Sequence, residues 1–244
     1  MKDTAIIIPS RLGAKRFPNK PLANINNIPM IVHVFNRAKE SNVGEVIVAT
    51  PDNEVFRIIN ENGGKAVITN SEHQSGSDRI YEVYSKELKN KISLIINLQG
   101  DMPNIKPSSI SKLVKLMHNS DCDIGTLASI IKDKNDIINP NIVKVSTNQK
   151  LEKDEFLEAK DFFRKEEDLS REKIYHHIGI YAFTVSALTK YVKLPRSKLE
   201  LERNLEQMRA LENNLIIKVG LSDSVPLGVD TKDDLLKVSG EMTI

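Results

Sequence analysis

The sequence predicts an α/β fold built on a mostly parallel sheet. Two observations carry this. Short β-branched runs alternate with segments whose apolar positions repeat at helical spacing. One of the runs, Ile92 to Leu98, is almost wholly apolar, as expected of a central strand covered on both faces. The chain has 244 residues, 40% of them hydrophobic, enough to bury a sizeable core without disulfides or metal.

Taken in order, Ala5 to Ile8 closed by Pro9 reads as a buried strand feeding a loop. Ile31, Val34, Phe35 and Ala38 then follow the i, i+3, i+4, i+7 spacing of an amphipathic helix. A strand is expected at Val46–Val48, a helix near Asp52–Asn62, a strand at Lys65–Thr69 and a helix near Asp78–Leu88. After the Ile92–Leu98 strand, Pro107-Ser-Ser is a helix start, followed by Ile110, Leu113, Val114 and Met117 at helical spacing. From Lys150 to Lys173, 16 of 24 residues are charged, nine acidic and seven basic. That composition suits a solvated helix or loop, or else a flap or partner-facing insertion. Strand character returns at Ile174–Phe183. With no internal repeat and no low-complexity linker, the expectation is one domain over 1–244 with an insertion at about 140–190.

Lys and Arg total 35 and Asp and Glu 33, a formal charge of +2. Such a balance gives no general attraction to nucleic acid or an anionic membrane, so any polyanion site is local. The absence of Trp argues further against single-strand binding. The single cysteine, Cys122, fits a reducing compartment and supplies no metal cluster. The apolar run before Pro9 is too short for a signal sequence, and no stretch approaches the ~18 apolar residues of a membrane span. The expectation is a soluble, cytoplasmic protein.

In parallel sheets ligands sit beyond the carboxyl ends of the strands, which directs attention to the loops after Ile8, Thr69 and Leu98. The first loop places Arg11, Lys15, Arg16 and Lys20 around Gly13, with no acid among them. It suits either a wrapped polyphosphate or an ordinary solvated basic loop. It is neither a G-x-x-x-x-G-K-[ST] loop nor a G-x-G-x-x-G fingerprint. Asp101 follows Gly100 at the end of the apolar strand, where it suits Mg²⁺ or a turn cap. Asp230 suits a second oxygen ligand or the N-cap of the last helix. His73 to Arg79 opens a helix with small polar residues whose N–H groups suit a base or phosphate, or plain capping by Ser75 or Ser77. His176 and His177, adjacent in a strand, face opposite ways and make poor co-ligands.

Several of these segments together resemble the 3-deoxy-manno-octulosonate (KDO) cytidylyltransferases. The resemblance is carried by Ile7 to Leu22, Pro29 to Val34, Val48 to Thr50, His73 to Arg79 and Leu98 to Asp101. It continues in Asn139 to Val145, His177 to Tyr181, Leu205 to Arg209 and Gly228 to Thr231. It implies a Rossmann-like nucleotide-diphospho-sugar transferase fold with an inserted dimerisation and sugar-binding subdomain, working as a homodimer with Mg²⁺. The implied reaction is CTP + KDO → CMP-KDO + diphosphate, for lipopolysaccharide biosynthesis. By the same resemblance Arg11, Lys20 and Asp101 are catalytic, and Ser10, Arg11, Lys20, Gln74, Ser75 and Gly76 bind CTP. Gln99, Arg164, His177, Tyr181, Glu206 and Gln207 bind the sugar, and Asp101 and Asp230 bind the metal.

Two positions depart from the family pattern. Met102 stands where Glu usually follows the Asp, and Asp161 to Asp168 replaces a serine-rich or aromatic run around the sugar-carboxylate arginine. The second departure leaves room for a related sugar acid, such as 8-amino-KDO or a sialic-acid-like sugar. A reading of another class is a catalytically silent nucleotide or sugar sensor.

Overall fold

The computed structural model describes residues 3–13, 16–165 and 173–242. Two compact units are formed, one from 1–111 with 226–244 and one from 112–225. In chain order the elements begin with strand β1 (Thr4–Pro9), the short strands β2 (Asn24–Ile25) and β3 (Ile28–Pro29), helix α1 (Met30–Glu40) and β4 (Glu45–Thr50). Next come α2 (Asn53–Glu61), β5 (Ala66–Ile68), α3 (Gly76–Val83), β6 (Leu94–Leu98) and α4 (Pro107–His118).

In the first unit the strand order β5-β4-β1-β6 is parallel throughout. The burial follows the sequence pattern: β1 from Thr4 to Ile8 and all of β6 are buried, and α1 turns Ile31, Val34, Phe35 and Ala38 inward. The chain runs outward from β1 to β4 and β5, then returns to the far side of β1 as β6. This reversal is a topological switch point, and it opens a crevice beyond the carboxyl ends of β1 and β6. Gly100 lets these two ends meet: a Cβ there would lie 3.1 Å from the Pro9 carbonyl oxygen and 3.3 Å from Ile31 Cδ1. Between β2 and β3, Asn26 and Asn27 both take left-handed backbone (φ 49° and 66°), as a tight two-residue hairpin turn requires.

The second unit contains β7 (Ile124–Ile130), α5 (Asn135–Ile138), β8 (Lys144–Thr147), β9 (Phe156–Phe163), β10 (Ile174–Thr184), α6 (Val185–Tyr191), α7 (Lys198–Arg203), α8 (Gln207–Glu212) and β11 (Ile217–Leu221). The last helix, α9 (Lys232–Glu241), belongs to the first unit. The five strands run β10-β7-β11-β9-β8, and β8 pairs again with β10, so they close on one another. Only β7 and β11 are parallel here. No helix joins β8 to β9, and antiparallel neighbours need no crossover.

The charge-dense stretch from Lys150, expected as a solvated helix or loop or else a flap or partner-facing insertion, contains β9, and its residues 166–172 lie outside the described residues. Its exposed Glu158 and Lys160 flank the buried Ala159, while Phe162 is fully buried. Pairing with β11 and β8 on either side overrides the charged composition, and a register shift in the β8 pairing interrupts the alternation between Ala159 and Phe162.

Candidate functional site

In the first unit the basic loop is tied down before it reaches its cations. Ser10 N–H donates to Ala49 O (2.9 Å), and Leu12 N–H donates to Asp52 Oδ2 (2.8 Å). Phe17 is buried with Ile25, Met30, Val229 and Val238 in a small apolar cluster that draws the C-terminal segment against the loop. Asn19 then takes left-handed backbone (φ 56°) and starts the 3₁₀ turn Lys20–Leu22, whose Pro21 is buried. The outcome separates the cations: Arg11 and Arg16 are exposed, whereas the Lys20 side chain is only 15% exposed. Lys15 lies outside the described residues.

Lys20 Nζ donates to Asp101 Oδ2 (3.0 Å), to Val229 O (2.8 Å) and, at 3.4 Å, to Asp230 Oδ1. Arg16 donates to the other oxygen of Asp230 at 3.1 Å, and Val229 N–H donates to Asp101 O at 2.9 Å. Two carboxylates from opposite parts of the chain therefore converge on one cationic atom. Asp230 does not cap α9. Thr231 does, its Oγ1 accepting from Asp234 N–H while the Asp234 carboxylate accepts from Thr231 N–H. Met102, beside Asp101, is buried in the core.

A second element of the same unit holds the loop before α3. Ser75 is the N-cap, accepting from Asp78 N–H at 3.1 Å, and the next residue, Gly76, packs near Pro9. Gln74 is exposed, donating to Glu72 O at 3.0 Å. Two oppositely charged side chains of α3 reach back to this loop. Arg79, 3% exposed, donates to Thr69 Oγ1 (2.5 Å) and Asn70 O (2.9 Å). Burial, with Arg11 nearby, lowers its pKa. Glu82 accepts from Asn70 N–H at 2.9 Å and pairs with His73 and Lys86. Burial pushes the Glu82 carboxyl up, but hydrogen bonds from Lys86, Asn70 and His73 outweigh it and hold the group at about 2. A folded-state pKa below the unfolded value contributes stability above pH 4.3 that is lost as pH falls toward 2, here about 3 kcal/mol. Urea midpoints of wild type and Glu82→Gln should therefore differ most at pH 7 and converge only as pH falls to about 2.

The Ser10 side-chain oxygen is buried at the mouth of the crevice and has no hydrogen-bond partner among the described residues. Native structures leave few such atoms unsatisfied. An acceptor or donor brought by a ligand would satisfy it.

The proposed sugar-binding residues divide between the units. Gln99 belongs to the first, its amide donating to Asn97 Oδ1 at 3.1 Å. The rest belong to the second. His177 is 7% exposed, edge-on to Phe162 (centroids 5.1 Å) and 5.4 Å from the Tyr181 ring. Its Nε2 lies 2.9 Å from Thr126 Oγ1, and that hydroxyl lies 2.8 Å from Ile180 O. One hydroxyl proton serves one acceptor, so Thr126 donates to the carbonyl and accepts from a His177 Nε2–H. Burial lowers His177 to about 3, and its neighbour His176 adds to the effect. Burial raises the Tyr181 phenol. Glu206 is exposed and Gln207 buried at the start of α8. The Arg164 guanidinium is directed at backbone: it donates to Pro140 O at 3.2 Å and to Arg203 O and Asn204 O at 3.4 Å.

Asp52 and Val229, which shape the loop and hold Lys20, were not singled out from sequence. For Asp52 a signal existed, since it stands two residues past a strand end as Asp101 stands three. A backbone acceptor such as Val229 O has none.

A cytidylyltransferase family profile matches residues 5–219. The 3-deoxy-manno-octulosonate cytidylyltransferase of Rhizobium etli is 42% identical, covering 97% of this chain and 94% of its own. That of Thermodesulfovibrio yellowstonii is 44% identical, covering 95% of each. Among solved structures, CMP:2-keto-3-deoxy-manno-octonic acid synthetase complexed with CTP superposes with a TM-score of 0.89 at 34% identity, covering 98% of both chains. The 4-diphosphocytidyl-2C-methyl-D-erythritol synthase of Anaerococcus prevotii shares the fold alone, with a TM-score of 0.65 at 11% identity. The strand-end loops, the converging carboxylates and these matches agree, and the chain belongs to the 3-deoxy-manno-octulosonate cytidylyltransferase family.

Proposed function

We propose that this chain transfers CMP from CTP to 3-deoxy-manno-octulosonate, releasing diphosphate, as a step of lipopolysaccharide biosynthesis. The observation that carries the site is the convergence of Asp101 and Asp230 on Lys20 at the mouth of the β1–β6 crevice. In the reaction a sugar hydroxyl oxygen bonds to the α-phosphorus, the bond to the β-phosphate oxygen breaks, and diphosphate leaves with the electron pair. The hydroxyl proton passes to solvent. Such a displacement asks the protein to position two anions and offset their charge. Two unit charges 4 Å apart interact by about 4 kcal/mol at an effective dielectric of 20.

Arg11 and Lys20 hold the triphosphate in this reading. Ser10, Gln74, Ser75 and Gly76 line the cytidine, and the unsatisfied Ser10 hydroxyl supports that assignment. Gln99, Arg164, His177, Tyr181, Glu206 and Gln207 bind the sugar. Asp101 and Asp230 would hold Mg²⁺, which would neutralise phosphate charge. Two carboxylates suit an ion that takes its remaining ligands from substrate phosphates and water, and no group of three or more metal-binding side chains exists among the described residues. The working protein is a cytoplasmic homodimer in this proposal. No helix among the described residues is long and apolar enough to cross a membrane.

The test is diphosphate release from CTP and Mg²⁺ with KDO, with its 8-amino analogue and with sialic acid. Release with KDO is expected, and Arg11→Ala should lower it at least a hundredfold, since one preorganised contact to developing charge contributes about 3 kcal/mol. Release only with another sugar would move the specificity. Tight CTP binding with no release from any sugar would instead indicate a silent sensor.

A further inference from the structure

We infer that Tyr191, at the end of α6, is a positioning residue for sugar recognition, and that it acts by orienting the peptide that links Glu206 to Gln207. The inference rests on the sugar role proposed above for those two residues. Tyr191 is 2% exposed, and its hydroxyl donates to Glu206 O at 2.9 Å. That carbonyl belongs to the peptide plane joining Glu206 and Gln207, so a single hydrogen bond orients both residues at once.

Tyr191 is itself held from two directions. On one side a file of rings leads back to the other proposed sugar residues. Tyr191 meets Phe183 (centroids 5.8 Å), Phe183 meets Tyr181 (6.2 Å), and Tyr181 meets His177 (5.4 Å). On the other side the Arg209 guanidinium lies 4.7 Å from the centre of the Tyr191 ring. Arg209 forks onto Glu200 through Nε (2.8 Å) and Nη2 (2.6 Å). Glu200 is fully buried and also accepts from Ser197 N–H (3.1 Å) and Arg196 Nε (2.9 Å). A carboxylate with four donors is fixed, and it fixes the arginine. Tyr191 is thus where the β10 residues and the start of α8 are brought into one register.

Tyr191→Phe removes the hydroxyl and keeps the ring that packs against Phe183 and Arg209. The expected result is a rise of about fivefold in KM for the sugar, the equivalent of one net hydrogen bond. KM for CTP should stay within about twofold and Tm within about 4 °C. Arg209→Lys, which keeps the charge but loses the fork, should shift the sugar KM in the same direction. Unchanged sugar KM in Tyr191→Phe, or equal rises for both substrates with a larger fall in Tm, would overturn the proposal. Glu206→Ala and Gln207→Ala separate the two claims. If neither raises the sugar KM, their sugar role fails and the inference falls with it. If they raise it and Tyr191→Phe does not, only the role of Tyr191 falls.

Discussion

Lys20→Met is expected to lower kcat/KM about a thousandfold. Removing one preorganised contact to developing charge costs on the order of 3–4 kcal/mol, or 10²–10³ in rate. A second effect adds to it. Lys20 is the cation on which Asp101 and Asp230 converge, at 3.0 and 3.4 Å. Without its ammonium the mouth of the crevice presents two carboxylates to an incoming triphosphate, opposed in this loop, among the described residues, by the exposed Arg16 and Arg11. Lys20→Arg, which restores charge on a larger, planar head, should recover part of the loss and not all, because Val229 O at 2.8 Å leaves little room for a fork. Steady-state diphosphate release measures both variants. Turnover of Lys20→Met within tenfold of wild type would remove Lys20 from the triphosphate site.

The second large effect is on stability in acid, and it comes from His177. The folded-state value of about 3 lies well below the unfolded value, so the native state disfavours the proton that the unfolded chain takes up below about pH 6.5. Stability contributed by the neutral ring is complete above pH 6.5. It falls by about 1.4 kcal/mol per pH unit below that, some 2 kcal/mol by pH 5. Denaturant midpoints measured from pH 7.5 to 5 should show this slope in wild type. His177→Asn should lose it whatever its absolute stability. A residual slope is expected from His176, which burial also lowers. An unaltered slope in the variant would mean that the imidazole protonates readily in the native state. The same value keeps His177 neutral at neutral pH, so in its proposed role it would offer the sugar a polar ring and no positive charge.

The sequence made the first unit largely legible, and the reason is physical. Its strands are β-branched runs and its helices carry regular apolar stripes, so local pattern and tertiary burial agree at Ile31, Val34, Phe35 and Ala38. The strand-end logic likewise picked out Asp101 and the Lys20 loop. The second unit was less legible. In β9 the buried residues Ala159, Phe162 and Phe163 follow no regular alternation, because the pairing with β8 shifts register between Asp161 and Ala159 and charged residues stand between them. Asp230 was open to a capping role because only the backbone distinguishes it from Thr231, the residue that caps. Thr126, which sets the tautomer of His177, lies 51 positions away from it, a distance no local pattern spans.

The first unit is also discontinuous, and this orders its assembly in time. Lys20 and Asp101 are translated early, but Val229, which holds both, and Asp230 follow only after the whole of 112–225. At 5–20 residues per second that interval lasts roughly ten seconds. On the ribosome the second unit is complete in sequence before the first, and an unfinished chain carries the basic loop without Val229 and Val238, which complete its apolar cluster. The cluster of Lys20, Asp101 and Asp230 therefore closes only with the last segment to be made, and a chain cut short before it carries the basic loop without its partners.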